Sequence, residues 1–249
     1  MIKKILKKYN PKITGIIHVG ANTGQNVNDY LDLKNINIYL FEPQKEAFSQ
    51  LSRYERYANI HLFNFGLGNT NKKLKLNKSS YKSGVSSSLL KPKLHSDYFP
   101  EYNFDDIETI QVRKFSSFEN IKANFLVLDV QGYELEVLKG FEEKLNKIDF
   151  VFTEISLVEL FEGSALVKEL DKFFIVNNFI RVKTSLIPNV PHGDALYLRK
   201  NTLNYFFIKY CQIKAIITLS KGFYYLNLLK DLKKLNFVIK KKIKLIIGI

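Results

Sequence analysis

The sequence predicts an α/β fold, in which helices cover a mostly parallel β-sheet, with a helical extension at the C-terminus. From residue 13 to about residue 200, short apolar segments alternate with segments of helical periodicity, a pattern typical of βαβ units. Some of these segments, such as FLVLDV at 125–130, are apolar almost throughout, as expected for strands buried on both faces. A chain of 249 residues that is 46% hydrophobic can also bury a full core.

Three strands and two helices form the first half of the predicted sheet. The strands are IIHV at 16–19, NIYLF at 37–41 and IHLFNF at 60–65. Apolar side chains at helical spacing predict helices over 25–33 and 45–57. The polar stretch that follows contains a possible hairpin at 72–77, a long loop at 84–102 and a strand of alternating polarity at 108–115.

The second half begins with the strand at 125–130, followed by a helix from Tyr133. A strand at 149–155 then precedes a helix at 165–177. The strands at 179–184 and 194–200 have no clear helix between them, so we expect an antiparallel pair at one edge. This arrangement fits the seven-stranded variant of the Rossmann sheet, with its first five strands in the order 3-2-1-4-5. Ligands of such sheets bind at the carboxyl ends of the strands.

The net charge of +14 is concentrated in the C-terminal segment. Residues 200–249 contain eleven lysines and a single acidic residue, Asp231. We therefore divide the chain into a domain at 1–200 and a basic tail at 201–249. Apolar residues recur at helical spacing in the tail, and lysines interrupt each apolar run before it reaches the roughly 18 residues of a membrane span. The tail is therefore predicted to form amphipathic helices.

Two interpretations of the tail remain open, ahead of RNA binding by its lysines. Helices with lysines on the polar face could bind an anionic membrane surface through residues 203–249. They could equally pack on the domain or form a dimer contact, and the sequence leaves the oligomeric state open. The N-terminus lacks the apolar run of a signal peptide, and the single cysteine, Cys211, excludes a disulfide framework. We expect a cytoplasmic protein, peripheral on the inner face of the membrane if the tail binds lipid.

A loop of small residues, Gly20-Ala21-Asn22-Thr23-Gly24, joins the first strand to the first helix. No Lys-Ser or Lys-Thr follows Gly24, so the loop is not a P-loop. A dinucleotide-binding loop needs a second glycine where this loop has Asn22, whose side chain would obstruct a pyrophosphate. Asparagine tolerates a positive φ, so the tight turn can still form. The loop therefore favours a ligand without phosphate.

The second strand ends at Glu42, 22 residues after Gly20, where an acidic residue in such folds binds the hydroxyls of a ribose. S-adenosylmethionine (SAM) has a ribose, an adenine and an amino-acid tail but no phosphate. We therefore expect SAM as the cofactor, although a glycine loop and a strand-end acid are common in α/β proteins. The expected cofactor-binding residues are Gly20, Ala21, Asn22, Thr23, Gly24, Glu42, Pro43 and Gly66.

Six strings in the sequence carry a resemblance to a known family. They are IIHVGANTGQNVNDYL, LFEPQKEAFSQL, SSSLL, FLVLDVQGYELEVLKG, TEISLVELFEG and GDALYL, in this order. Over residues 13–199 the chain resembles the FkbM family of SAM-dependent methyltransferases, in particular the branch with a histidine before the glycine loop. The resemblance implies a Rossmann-like, seven-stranded class I methyltransferase fold. It also implies methyl transfer, usually to a hydroxyl of a sugar, a glycolipid or a small metabolite.

Two positions depart from the pattern of the family. Val127 lies two residues before Asp129, where many members have lysine. Ser116 lies where members commonly have aspartate, and a carboxylate there would cap or orient the next loop. This second departure leaves open a catalytically inactive SAM-binding or glycan-binding module of the same fold.

Methyl transfer is an in-line displacement, so the protein chiefly aligns the acceptor oxygen and removes its proton. His18, Asp129 and Glu154 end neighbouring strands, and we expect these catalytic residues to meet beside the cofactor sulfur. His18 could act as the general base, bind the amino-acid part of SAM, or be a buried histidine satisfied by the backbone. Asp129 could bind the SAM amine, accept the proton, or cap the turn at Gln131. Asp129 and Glu154 could also bind Mg²⁺, but two carboxylates are few ligands, so we expect no metal site.

The expected partner is a small-molecule or glycan acceptor bound by Ser87, Ser88, Gln131 and Asp194. The run of serines from Ser86 could donate to hydroxyls or phosphate of the acceptor, or cap a helix that begins after it. We expect His95 and His192 to be solvated loop histidines.

Two other activities fit the sequence less well. Methyltransferases that act on amino groups of nucleic-acid bases usually carry an Asn/Asp-Pro-Pro-aromatic motif after the fourth strand. This chain has Asp129-Val130-Gln131-Gly132 there, which disfavours a nucleic-acid partner and leaves an RNA methyltransferase only as an alternative. Asn22 in the glycine loop argues against a nicotinamide-dependent oxidoreductase.

Overall fold

The computed structural model of the protein describes residues 12–33, 35–202, 210, 213–214 and 216–223. The strands in this part of the chain are β1 (Gly15–Val19), β2 (Asn37–Phe41), β3 (Ile60–Phe63), β4 (Gly66–Leu67), β5 (Lys72–Lys78), β6 (Asp106–Arg113), β7 (Phe125–Leu128), β8 (Phe150–Ser156), β9 (Phe179–Leu186) and β10 (His192–Arg199). The α-helices between them are α1 (Val27–Leu31), α2 (Lys45–Leu51), α3 (His95–Tyr98), α4 (Glu134–Lys139) and α5 (Val167–Val176).

Seven strands form the main sheet, in the order β3-β2-β1-β7-β8-β10-β9. Five neighbouring strands, β3, β2, β1, β7 and β8, pair in parallel, whereas β10 pairs antiparallel with both β8 and β9. The predicted seven-stranded, mostly parallel sheet with an antiparallel pair at one edge is therefore confirmed. The strand that runs against the others, β10, lies one position inside that edge.

Apolar cores cover both faces of the main sheet and determine which side chains meet at its carboxyl edge. One core contains Ile17 and Leu126, and the core on the opposite face contains Ile16 and Phe125. Successive side chains of a strand point to opposite faces, so His18 and Asp129 belong to the face of Ile16. The same alternation assigns Glu154, His192 and Asp194 to that face.

A second sheet of three strands, in the order β4-β6-β5, was not predicted. The hairpin expected at 72–77 is wrong, because β5 pairs antiparallel with β6, about thirty residues later in the chain. The physical reason is apolar alternation in both strands, which lets Leu76 of β5 and Ile110 and Val112 of β6 form a small buried cluster. Part of the chain between β5 and β6 returns across the carboxyl edge of the main sheet.

The first two helices are shorter than predicted. The helix expected at 25–33 is limited to Val27–Leu31, and the helix expected at 45–57 ends at Leu51 in a 3-10 turn. The hydroxyls of Ser49 and Ser52 each donate to the carbonyl three residues earlier. Such bonds compete with regular helix geometry and favour the tighter turn.

The described part of the tail packs on the domain through one face and exposes the other. Residues 216–223 are helical, Leu219 is buried, and Phe223 packs against the main core. Tyr210, Ile213, Ile216 and Ile217 are exposed. The rest of the predicted tail, including Cys211, lies outside the described residues. Within the described ranges, no helix has the length and apolar character needed to cross a membrane.

Candidate active site

The glycine loop, β2 and the chain after β7 enclose a first cavity of about 200 Å³ at the carboxyl edge of the main sheet. Its lining includes most of the predicted cofactor-binding residues: Gly20, Ala21, Asn22, Glu42, Pro43 and Gly66. Thr23 and Gly24 do not line it. Their carbonyl oxygens instead accept hydrogen bonds from Arg53 Nη2 (2.6 Å) and from the Tyr54 hydroxyl (3.2 Å), which anchors the loop to the segment after α2.

The glycine loop has the left-handed backbone that its composition predicts. The φ angles of Gly20, Asn22 and Gly24 are 79°, 44° and 85°. A Cβ atom on Gly20 would lie 1.9 Å from the carbonyl oxygen of Asp129, so only glycine fits between the two strand ends. The Asn22 side chain donates to the Ser83 carbonyl oxygen (3.0 Å) and so links the loop to the segment after β5.

Glu42 is 2% exposed at the base of the first cavity. Its Oε2 accepts a hydrogen bond from the Asn22 backbone amide (2.8 Å), and its Oε1 accepts from the backbone (2.8 Å) and side-chain (3.3 Å) amides of Gln44. Burial raises the pKa of Glu42 to about 7, although these hydrogen bonds oppose the shift. Oε2 accepts only one of these bonds and can accept a further one, so the group both fixes the loop and can bind a ligand hydroxyl.

His18 is 1% exposed and also lines the first cavity. Its Nδ1 lies 3.1 Å from the hydroxyl of Tyr30, and its Nε2 has no partner in the described protein. Burial lowers the pKa of His18 to about 4, so the imidazole is neutral at pH 7. The interpretation of a histidine satisfied by the backbone is therefore wrong, because its partner is a tyrosine hydroxyl.

Asp129, Gln131, Glu154 and His192 form a continuous chain of hydrogen bonds, which we call the polar chain. Gln131 Nε2 donates to Asp129 Oδ1 (2.8 Å) and to Glu154 Oε2 (3.0 Å). Glu154 Oε1 lies 2.5 Å from His192 Nδ1. The Asp129 side chain is exposed to the cavity. Desolvation by the surrounding protein and the charge of Glu154 nevertheless raise its pKa. Burial lowers the pKa of His192, but the hydrogen bond and the charge of Glu154 outweigh this effect and raise it.

The turn after β7 is capped by Glu134 rather than by Asp129. Glu134 Oε1 accepts hydrogen bonds from the backbone amides of Val130 and Gly132, each at 3.2 Å. Burial and the charge of Glu154 raise the pKa of Glu134 to about 8. The capping role considered for Asp129 is therefore wrong, and its carboxylate is available to the cavity.

The described residues contain no group of three or more His, Cys, Asp or Glu side chains that could hold a metal ion. The amide of Gln131 lies between the two carboxylates that were considered as Mg²⁺ ligands. A side-chain amide donor there stabilises two nearby carboxylates without a cation.

A second cavity, of about 230 Å³, adjoins the first. Val85, Asp129 and Gln131 line both cavities. Its other lining residues include serines, aliphatic residues and a set of acidic, histidine and aromatic residues, among them Glu154, His192, His95, Phe99, Tyr102 and Phe161. The two cavities therefore meet at the polar chain.

The predicted acceptor-binding residues lie in different places around these cavities. Gln131 lines both, and Ser87 lines the first. The hydroxyl of Ser87 donates to Gln44 Oε1 (2.9 Å) and that of Ser88 donates to the Gln131 carbonyl oxygen (2.7 Å). The interpretation of the serines as a helix cap is wrong, because no helix begins at Leu89 or Leu90 and the next helix, α3, begins only at His95. Asp194 lies opposite Glu154 in the β8–β10 pairing, and burial together with the charge of Glu154 raises its pKa to about 6.

Neither His95 nor His192 is a solvated loop histidine, so both of these predictions are wrong. His192 begins β10 and contacts Glu154. His95 is buried among aromatic rings, including those of Phe99 and Phe161, at centroid distances of 4.9 and 5.1 Å. Strand alternation places His192 on the same face as Asp194, but Pro191 and Gly193 on either side make its local sequence typical of a loop. The environment of His95 depends on contacts between distant segments.

Ser116, the departure from the family pattern, lines neither cavity. Its backbone amide donates to the carbonyl oxygen of Gly140 (3.0 Å). Nearby, Lys114 Nζ forms an ion pair with Glu142 (2.8 Å). The aspartate that Ser116 replaces would therefore lie at the junction of β6 with the end of α4, away from the polar chain.

Comparisons with known proteins identify the family. The family model described as the methyltransferase FkbM domain matches residues 18–181. The 2-O-methyltransferase NoeI of Sinorhizobium fredii (strain NBRC 101917 / NGR234) is 27% identical over 195 residues, which cover 72% of this chain and 79% of that protein. The crystal structure of methyltransferase FkbM from Methylobacillus flagellatus KT is similar in fold, with a TM-score of 0.51 and 14% identity over 74% of this chain and 43% of that chain.

The chain therefore spans less than half of the crystallised protein and most of NoeI. The family match includes the glycine loop, Glu42 and the three catalytic candidates, and it extends over more than half of the sequence. The chain belongs to the FkbM family of SAM-dependent methyltransferases.

Proposed function

We propose that the chain transfers a methyl group from SAM to a hydroxyl of a sugar, a glycolipid or a small metabolite. The observation that carries the proposal is the junction of the two cavities at Asp129 and Gln131. Such a junction brings a donor on one side within reach of an acceptor on the other, as in-line displacement requires. Family membership and the name of NoeI, a 2-O-methyltransferase, support oxygen as the methylated atom.

The residues of the first cavity fit SAM. Glu42 retains acceptor capacity for the ribose hydroxyls, and Leu76, Leu89 and Ile110 provide an apolar wall for the adenine. The unpartnered Nε2 of His18 suits the polar amino-acid end of the ligand. When bound, SAM would supply an activated methyl group on its sulfonium.

Asp129 is the proposed general base. It lines both cavities, and its raised pKa brings it nearer to neutral pH, where a base can take a proton from a hydroxyl most effectively. Gln131 orients it, and Glu154 orients His192 on the acceptor side. His18 is buried and neutral, which suits it to position the cofactor rather than to remove the proton.

Calorimetry and isotope transfer test this proposal together. We expect the full chain to bind SAM and S-adenosylhomocysteine, and to transfer labelled methyl from SAM to glycosides that carry a free 2-hydroxyl. Because NoeI is named a 2-O-methyltransferase, the matched control is the 2-deoxy analogue of each glycoside, which should accept no label at that position. A folded chain that binds neither ligand and methylates no hydroxyl would contradict the proposal.

We also propose that the basic tail binds an anionic membrane surface and brings the domain to an acceptor assembled on a lipid. The supporting observation is the helix at 216–223, which packs on the domain through Leu219 and Phe223. Ile213 and Ile217 are exposed and, by helical spacing, lie away from this contact. Lys214 and Lys221 are also exposed. Exposed apolar side chains can be buried in lipid, and the lysines beside them attract anionic headgroups.

A further inference from the structure

We propose that the second cavity selects uncharged acceptors and excludes those that carry a carboxylate or a phosphate, with His95 and Ser164 as specificity-determining residues. The inference rests on the proposed methyl transfer. It adds the charge class of the acceptor and two contacts that neither the family match nor the named relatives assign.

The lining of the second cavity carries acidic groups and no strong cation. Asp129 and Glu154 line it, and the carboxyl group of Asp194 lies beside Glu154 in the β8–β10 pairing. Glu134 also lines it, but with a pKa of about 8 it is neutral at pH 7 and adds no charge. Among the described lining residues there is no lysine or arginine. The imidazole of His192 faces these acids but is already paired with Glu154. Like charges at short distance repel strongly where water is excluded, so an anionic acceptor would meet uncompensated repulsion.

Buried polar atoms without partners point to where the acceptor would bind. Three such atoms occur among the described residues: His18 Nε2, His95 Nδ1 and Ser164 Oγ. All three residues line one of the two cavities, and His95 and Ser164 line the second. Buried polar groups in folded proteins are nearly always paired, so a cavity with two unpaired groups is suited to a ligand that supplies hydrogen bonds. A ligand hydroxyl can both donate and accept, and can therefore satisfy either residue.

Aromatic packing holds His95 in position. Its ring lies 4.9 Å from Phe99, 5.3 Å from Tyr102 and 5.1 Å from Phe161, measured between centroids. These aromatic residues also line the second cavity, so they present apolar surface to the same ligand. Apolar surface together with hydroxyl-binding groups and an acidic lining fits a neutral polyhydroxylated ring.

Matched acceptors test the charge selectivity. Methyl glycosides of glucose, galactose and mannose are compared with the corresponding uronic acids, which differ in the carboxylate at C6. We expect kcat/KM to be at least about tenfold higher for the neutral member of each pair that is methylated. Equal or faster methylation of the uronic acids would overturn the inference while leaving the proposed function intact.

Binding is measured separately, by saturation-transfer NMR with S-adenosylhomocysteine present, so that slow chemistry cannot conceal the result. We expect neutral glycosides to bind and uronic acids not to bind. A chain that binds S-adenosylhomocysteine but no neutral glycoside would overturn the inference. A chain that binds no S-adenosylhomocysteine would instead contradict the proposed function.

Two substitutions test the contacts themselves. His95→Phe fits the aromatic cluster and Ser164→Ala removes one hydroxyl, so each deletes an unpartnered buried atom and should leave the Tm unchanged or raise it. We expect each to raise the KM for a neutral acceptor about tenfold with an unchanged Kd for SAM. Ser117→Ala, at an exposed position outside both cavities, is the control. A raised Tm with an unchanged acceptor KM in both variants would show a purely structural role and overturn the assignment.

Discussion

The Glu42 carboxyl group should make SAM binding depend on pH. Ribose hydroxyls donate most strongly to the ionised carboxylate, and burial raises the pKa of Glu42 to about 7. SAM affinity should therefore be full at pH 8 and fall as the pH drops below 7. At pH 8, Glu42→Ala should weaken SAM binding roughly tenfold to a hundredfold. Calorimetry from pH 6 to pH 8.5 measures both effects.

Glu42 also accepts a hydrogen bond from the Asn22 backbone, so Glu42→Ala could displace the glycine loop. Glu42→Gln is the matched control, because it keeps one acceptor oxygen but cannot ionise. We expect the Gln variant to bind SAM weakly with no pH dependence over this range. Unchanged affinity in a folded Ala variant would refute the ribose assignment.

Replacing Asp129 should affect turnover more than stability. Its carboxylate opens into the cavity and does not cap the turn, so Asp129→Asn removes the proposed base without removing a structural bond to the backbone. We expect the rate to fall by about 10² to 10⁴ with nearly unchanged Tm. His18→Asn, measured in parallel, should chiefly weaken SAM binding. A fully active Asp129→Asn enzyme would mean that alignment alone accounts for catalysis.

Glu134 should make the fold less stable as the pH rises. Its ordinary pKa is 4.5 and its folded pKa is about 8, so between these values the folded state keeps a proton that the unfolded state has lost. The stabilisation that the proton on Glu134 gives is fully present below pH 4.5 and is lost as the pH rises through 8. The free energy of unfolding falls by at most about 1.4 kcal/mol per pH unit. Glu134→Gln keeps a neutral hydrogen-bond acceptor. At pH 9 its free energy of unfolding, measured with denaturant, should exceed that of the wild type by at least about 1 kcal/mol.

The matched control for Glu134 is Glu136→Gln on the same helix, where the carboxylate forms a partly exposed ion pair with Lys139. This variant should not change the slope of stability with pH, because such pairs contribute little. A wild-type slope that persists in Glu134→Gln would assign the effect to other buried acids.

The residues that the sequence could predict share one property, a polar side chain directly after an apolar strand. Glu42 and Asp129 were found this way, because the carboxyl ends of parallel strands meet at one edge. His192 follows a proline and precedes a glycine, so its local sequence is typical of a loop. Its pairing with Glu154 exists because β10 inserts beside β8, which no local pattern specifies.

Among the elements, the glycine loop allows the sharpest test. Gly20 and Gly163 both have positive φ, at 79° and 72°. A Cβ added to Gly163 would have no atom within 4 Å. A Cβ added to Gly20 would lie 1.9 Å from the Asp129 carbonyl oxygen. Gly163→Ala should cost about 1–2 kcal/mol of unfolding free energy from backbone strain alone. Gly20→Ala should cost clearly more and should abolish SAM binding, because the β1 and β7 ends must separate. Equal costs for the two variants would exclude the clash.

The strands of the main sheet were predictable because they are apolar and short, and because helical segments separate them. The second sheet was not, since Leu74 and Leu76 alternate as in a local hairpin and only the partner strand decides the pairing. The unpartnered polar atoms of His95 and Ser164 likewise depend on how segments distant in sequence pack around the second cavity. Local patterns thus locate the cofactor side of the site better than the acceptor side.

At the scale of the whole molecule, we propose that the basic tail brings the domain to an anionic membrane surface. We expect the full chain to float with anionic vesicles at low salt and to dissociate at high salt, because lysine attraction is screened while apolar burial is not.

Truncation after Lys200 should abolish flotation, but it also removes the packing of Leu219 and Phe223 on the core. The sharper variant is therefore Ile213→Asp with Ile217→Asp, which changes exposed positions and leaves that packing intact. We expect it to lose most vesicle binding with unchanged Tm and unchanged methyl transfer to a water-soluble acceptor. If the wild-type chain stays with the soluble fraction even at low salt, the tail has a structural role and the membrane proposal is wrong.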